Sequence, residues 1–278
     1  MFDIRTLTLP FRKAYRARSA RQLLWHWDSV RAIWGFPRFA STVTGSPLRE
    51  VREYCKEAAG LSRDCARDWP TDFQYSGERY NRYNLEALYV LTRCIRPRNF
   101  VETGVWRGLS SRYILVALRR NGMGRLHSID LPTFGAGGRH NSDGILDYST
   151  VNDPVEVGDR VPLELRGNWD LRLGDAKVLL PFLLTELGKI DVFLHDSEHS
   201  YDHMTFEYRT AWDHLSDGGW LLSDDVEWSP HAQRAWSEFV QSHGGAAYRY
   251  FSPRGNHGIL PKGKNMPARG SAGVMISS

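Results

Sequence analysis

The chain has 278 residues, of which 41% are hydrophobic and 24% charged, and a net charge of +4. That length can bury a full core, and the composition excludes a disordered or fibrous chain. No apolar run approaches the ~20 residues of a membrane-spanning helix.

The three cysteines, Cys55, Cys65 and Cys94, cannot all pair and form no CxxC. They read as idle thiols of a reducing compartment. The first residues lack the apolar segment and cleavage site of a secretory signal, so a cytoplasmic protein is expected.

Charge is uneven. Residues 1–38 carry a net +6 and the remaining 240 a net −2. Within this arm Leu23, Trp27, Val30 and Trp34 fall on one helical face. A basic amphipathic helix of this kind either contacts an anionic surface, such as a membrane or a partner subunit, or packs on its own domain with arginines in water. No base-reading motif accompanies it, so nucleic acid is not an expected partner. Residues 36–51, with two prolines and a glycine, read as a linker. Helices are predicted over 48–67 and 86–95. Between them lies an aromatic stretch, 68–84, whose Tyr80 and Tyr83 either line a pocket or pack under a helical cap.

From residue 99 short apolar runs alternate with helical ones. Strands are predicted at 99–103, 125–132, 169–176, 190–200 and 218–228, helices follow all but the second, and "AAYRYFS" with "HGILP" reads as a closing antiparallel pair. The expected fold is α/β, a Rossmann-like doubly wound sheet, mostly parallel with one antiparallel strand near the C-terminus. Such sheets bind ligands beyond the carboxyl ends of their strands. Glu102, Asp130, Asp175, Asp196, Asp224 and Asp225 all fall at that station. The insertion 133–168 is longer than an ordinary connection. It reads as a substrate loop offering Arg139 and His140, or as a surface excursion.

The turn "ETGVWRGLSS" has Gly104 for a tight bend, Gly108 for close approach and Ser110 at a helix start. Its spacing is not GxGxxG, and Glu102 would repel a pyrophosphate. A cation suits it better. Asp130 can accept the two hydroxyls of a ribose, and Asp175, beside Ala176, an adenine amino group. A nucleoside with a cationic tail fits, and S-adenosylmethionine is such a molecule.

With these residues in place, 99–228 resembles the class I S-adenosylmethionine-dependent methyltransferases, "VETGVWRGLSS", "HSIDLP" and "LRLGDA" looking like their first three motifs. "DVFLHDSEHSY" and "GGWLLSDDVEW" resemble paired motifs of metal-dependent O-methyltransferases of the catechol, caffeoyl-coenzyme-A and macrocin types. The resemblance implies a cofactor site of Glu102, Gly104, Gly108, Ser110, Asp130, Asp175 and Ala176. It also implies Mg²⁺ on Asp196, Asp224 and Asp225, and a small-molecule hydroxyl acceptor, either a catechol or a sugar of a natural product or glycan.

His199 or Asp196 would take the acceptor proton; His199 has the pKa better suited to neutral pH. His195, adjacent to Asp196 on an extended strand, should point the other way. Residues 1–84 would form a helical extension and 85–278 the methyltransferase domain, with a homodimer formed through the N-terminal helices. The rival readings are a metal-independent methyltransferase, a non-catalytic scaffold docked by its basic arm, and a nicotinamide dehydrogenase, against which the absent GxGxxG counts.

Overall fold

In the computed structural model the described residues are 35–68, 78–132, 139–140, 143, 146–147, 156–243, 248–251, 256–263 and 274–275. The arm 1–34, with its apolar helical face, lies outside them. So do the side chains of Tyr80, Tyr83, Arg139 and His140.

Residues 35–44 are helical (α1), followed by α2 (Leu48–Asp68) and α3 (Glu78–Ile95). The expected linker at 36–51 is therefore corrected to the end of one helix and the start of the next. Phe36, Phe39, Ala40 and Val43 recur at helical spacing and are buried. The bend is confined to Gly45, which takes a φ of 75°, while the Thr44 hydroxyl bonds back to the Ala40 carbonyl at 2.6 Å.

Beyond residue 99 the predicted strands and helices are present, and β3, β4, β10 and a 3₁₀ turn, which were not predicted, join them: β1 (Asn99–Thr103), α4 (Leu109–Asn121), β2 (Arg125–Asp130), β3 (Arg139–His140), β4 (Leu146–Asp147), a 3₁₀ turn at Leu163–Asn168, β5 (Trp169–Leu173), α5 (Ala176–Leu187), β6 (Ile190–His195), α6 (Tyr201–His214), β7 (Leu215–Ser223), α7 (Pro230–Ser242), β8 (Tyr248–Phe251), β9 (Asn256–Pro261) and β10 (Val274–Met275). The eight-stranded sheet has the order β10-β8-β9-β7-β6-β1-β2-β5. β5, β2, β1, β6 and β7 are parallel, and β9 enters antiparallel between β7 and β8. The two-residue β10 adds a second reversed strand.

Strict alternation sends successive side chains to opposite layers. Phe100, Val192, Leu194, Trp220 and Leu222 face α1–α4, whereas Val101, Phe193 and Leu221 face α5–α7. The helices from residue 35 thus share one apolar cluster with the sheet. Among the described residues no helix is long and apolar enough to cross a membrane.

On β9, a Cβ at Gly258 would stand 2.3 Å from the ring of fully buried Trp236. The Gly258→Ala variant should lose roughly 1–3 kcal/mol by overpacking, read as a lowered urea midpoint with an unchanged slope.

Candidate active site

The carboxyl ends of β1, β2, β5, β6 and β7 bring the predicted acids to one edge. The turn after β1 is stitched to both neighbouring strands. The Gly104 N–H donates to the Ile129 carbonyl at 2.9 Å, and the Asp196 N–H donates to the Thr103 carbonyl at 2.9 Å. Gly104 has a φ of 84°, and a Cβ there would lie 2.0 Å from the Asp196 carbonyl oxygen. The glycine therefore lets the cofactor-side loop touch the loop bearing Asp196.

Gly108, expected to make room for a ligand, makes room for protein. A Cβ there would meet Val161 at 2.8 Å and Gly158 at 3.0 Å. The same turn is tied by Gly158 N–H to the Trp106 carbonyl and Arg160 N–H to the Arg107 carbonyl. A paired Arg107–Asp159 contact at 2.7 and 3.1 Å completes the join. The second half of the insertion 133–168 is thus part of the core, with Val157, Val161 and Leu165 buried. In the first half β3 and β4 pair antiparallel. Asp143 between them accepts the Tyr201 N–H at the start of α6 (2.9 Å) and faces His231 at the start of α7 (3.5 Å). That contact places the hairpin's turn beside the connections that follow β6 and β7.

Glu102 is wholly buried. One oxygen accepts from Ser110 at 2.7 Å, and the other accepts from Ser111 at 2.6 Å and Ser128 at 2.8 Å. Burial pushes its pKa up to about 7 against the pull of the serine hydroxyls. Ser110, read as a helix-start contact, spends its hydroxyl on Glu102. Asp130 closes the glycine turn by accepting the N–H groups of Val105 (2.9 Å) and Trp106 (2.6 Å) on one oxygen and that of Leu131 (2.7 Å) on the other. Burial nonetheless raises its pKa. Exposed Asp175 caps α5 through the Lys177 N–H at 2.8 Å, beside buried Ala176. The Gly174 N–H bonds the Asp130 carbonyl at 2.7 Å, so the two acids sit on adjoining strand ends.

Asp196, Asp224 and Asp225 converge. Asp224 N–H donates to the His195 carbonyl at 2.8 Å, holding the ends of β6 and β7 together. Burial and then its acidic neighbours, Asp224 first, drive the Asp196 pKa well up. Against burial, Asp224 is held below the usual carboxylate range by His257 at 3.1 Å, by His199 and by the Asp225 N–H. Burial and Asp224 push Asp225 up to about 8, and its φ of 49° is a left-handed conformation uncommon outside glycine.

Among the described residues no three His, Cys, Asp or Glu side chains already stand in the arrangement of a metal site. The donor set nevertheless suits a hard divalent cation. Carboxylates that suppress one another's ionisation are relieved by such an ion, which takes oxygen ligands. As expected from alternation, His195 points away from this cluster, into the interior toward Glu207 and Tyr208.

Residues 101–226 match a family model described as a methyltransferase domain. Over those residues the chain is thus similar to a methyltransferase domain, the acids of β1, β2 and the β5–α5 turn lying within the matched span.

Solved structures similar to this domain and its flanks include a Podospora anserina methyltransferase, PaMTH1, with S-adenosylhomocysteine bound (15% identity, 76% of this chain and 96% of that one, TM-score 0.47). Others are an O-methyltransferase from Bacillus cereus (15%, 75% and 89%, 0.44) and TomG from Streptomyces achromogenes (17%, 76% and 90%, 0.45). These likenesses are too distant to assign an acceptor. No curated protein matches the methyltransferase chain by sequence.

Glu102 provides a test of the buried floor. Its folded pKa of about 7 lies above the ordinary 4.5, so the folded state keeps this proton longer than the unfolded chain. Stability should therefore fall as pH rises from 4.5 to about 7, by at most about 3 kcal/mol. The Glu102→Gln variant should flatten that slope in urea titrations across the window.

Proposed function

We propose that this methyltransferase moves the methyl group of S-adenosylmethionine to a hydroxyl of a small molecule, with a divalent cation, Mg²⁺, at the acid cluster. The observation that carries this reading is the bond from the Asp224 N–H to the His195 carbonyl at 2.8 Å, which brings Asp196, Asp224 and Asp225 together just beyond β6 and β7, at the same edge as the glycine turn. A cofactor site alone has no use for three more half-buried acids there.

The cofactor residues are Glu102, Gly104, Gly108, Ser110, Asp130, Asp175 and Ala176. Asp130 and Asp175 offer acceptors to the ribose and the adenine. Glu102, Gly104, Gly108 and Ser110 act mainly by shaping the turn, since their polar atoms or missing side chains are used within the protein. Asp196, Asp224 and Asp225 would hold the cation, which supplies a lowered hydroxyl pKa and a fixed oxygen position when bound. Methyl transfer is an in-line displacement, so the chain's task is alignment and proton removal. His199, close enough to Asp224 to stabilise its charge, is the base that takes the acceptor's proton. Asp196 can serve only once ionised. The acceptor class is a catechol or a sugar hydroxyl.

One observation favours a metal-independent alternative. Asp224 already faces the ring of His257 at 3.1 Å, so part of its surroundings is occupied by protein, although burial lowers that imidazole's pKa.

Turnover of a catechol or sugar acceptor should stop on treatment with a strong chelator and return with Mg²⁺. The Asp224→Asn variant should lose about 100-fold in turnover while calorimetry shows S-adenosylhomocysteine binding as in the wild type. Turnover insensitive to the chelator would select the alternative. Asp130→Ala should instead abolish cofactor binding and spare uptake of Mn²⁺.

A further inference from the structure

Glu207, on α6, is a fully buried carboxylate outside the proposed cofactor and metal sets. Three of its four hydrogen bonds leave α6, and the fourth joins His203 one turn back on the same helix. One oxygen accepts from Thr103 at 2.6 Å and meets His195 Nδ1 at 2.5 Å. The other accepts from Ser197 at 2.9 Å and meets His203 Nε2 at 2.9 Å. Four donors fill the four lone-pair positions of a carboxylate. Although burial opposes its charge, His195 and His203 hold its pKa far below the usual carboxylate range.

Two of these partners, His195 and Ser197, are the residues on either side of Asp196. The third, Thr103, precedes Gly104. Thr103 and His195 face the α5–α7 layer with Glu207. The residue between His195 and Ser197 is thereby turned the opposite way, toward Asp224.

We propose that Glu207 is a positioning residue for the methyltransferase reaction: by gripping His195 and Ser197 it aims the Asp196 carboxyl at the metal side of the cleft, and by gripping Thr103 it holds the cofactor turn in register with it. The inference deepens the metal-dependent reading and rests on it for the identity of the bound ion. The clamp itself is a matter of where Asp196 points. A salt bridge that only stabilised α6 would need neither Ser197 nor Thr103. Gly104, packed against the Asp196 carbonyl, makes a shift on one side of the clamp felt on the other.

The test uses the full chain and four forms: wild type, Glu207→Leu, Glu207→Gln and Ser197→Ala. Calorimetry with S-adenosylhomocysteine and with Mn²⁺ alone, on protein shown to be folded by circular dichroism, gives the two affinities separately. Glu207→Leu and Ser197→Ala should weaken Mn²⁺ by about tenfold or more, and Ser197→Ala, which leaves the Thr103 bond in place, should keep S-adenosylhomocysteine within about twofold. Glu207→Gln, which keeps part of the hydrogen bonding, should recover most of the loss. If Glu207→Leu does not fold, Ser197→Ala decides, because it removes a single hydroxyl.

Unchanged Mn²⁺ affinity in the folded variants would overturn the clamp, as would parallel losses of both ligands in Ser197→Ala. If the wild type takes up no Mn²⁺, the metal reading fails and crystal structures judge the clamp. The Asp196 carboxyl should then be turned from its wild-type direction in Glu207→Leu and Ser197→Ala, and an unmoved carboxyl in both would overturn it.

Discussion

A carboxylate taken out of water must be met by donors or give up its charge. The carboxyl edge of this sheet holds several acids under that constraint, and the outcome differs for each. Glu207, met by four donors, stays ionised. Glu102, met by three serine hydroxyls and no cation, sits near the balance point. Asp196 has its pKa driven well up by burial and then by the crowding of Asp224 and Asp225. The chemistry of the edge follows from this ranking. Groups that are fully satisfied build walls, and groups left under-compensated are available to a cation or a substrate.

The ranking also explains the division between face and rim. Along β1, Glu102 belongs to the layer of α1–α4 with Ser110, Ser111 and Ser128, while Thr103 belongs to the opposite layer with His195 and Glu207. Alternation of a single short strand thus supplies one buried acid with partners from α4 and β2, and another with partners from β6 and α6. The cofactor turn emerges between two polar clusters rather than from an apolar core, and each cluster limits how far the turn can move.

Much of this was legible in the sequence. The strand ends are marked by apolar runs that stop at an acid, which is why all six acids were located before any coordinates. The helical residues 35–44 were obscured by Pro37, Gly45 and Pro47, which break helices in general, although Gly45 and Pro47 here stand between two helices. The apolar spacing of Phe36, Phe39, Ala40 and Val43 was the signal to weigh against them. Gly108 illustrates a different difficulty: a positive φ shows that a glycine is needed, but not whether ligand or protein fills the space. Glu207 was beyond reach, because an acid in "YDHMTFEYRTAW" resembles any solvated acid of a surface helix, and its partners Thr103 and Ser197 are 104 and 10 residues away. Arg107 and Asp159, 52 apart, were hidden in the same way.

That last pair bears on how such an enzyme could diversify. The stretch between β2 and β5 is the natural place to vary an acceptor preference, since it is long and outside the parallel core. Its later half, however, is riveted to the glycine turn through Asp159 and through the close fit of Gly158 to Gly108. A foreign stretch exchanged wholesale would therefore deform the glycine turn with it, whereas one that kept residues 156–168 would leave that join whole.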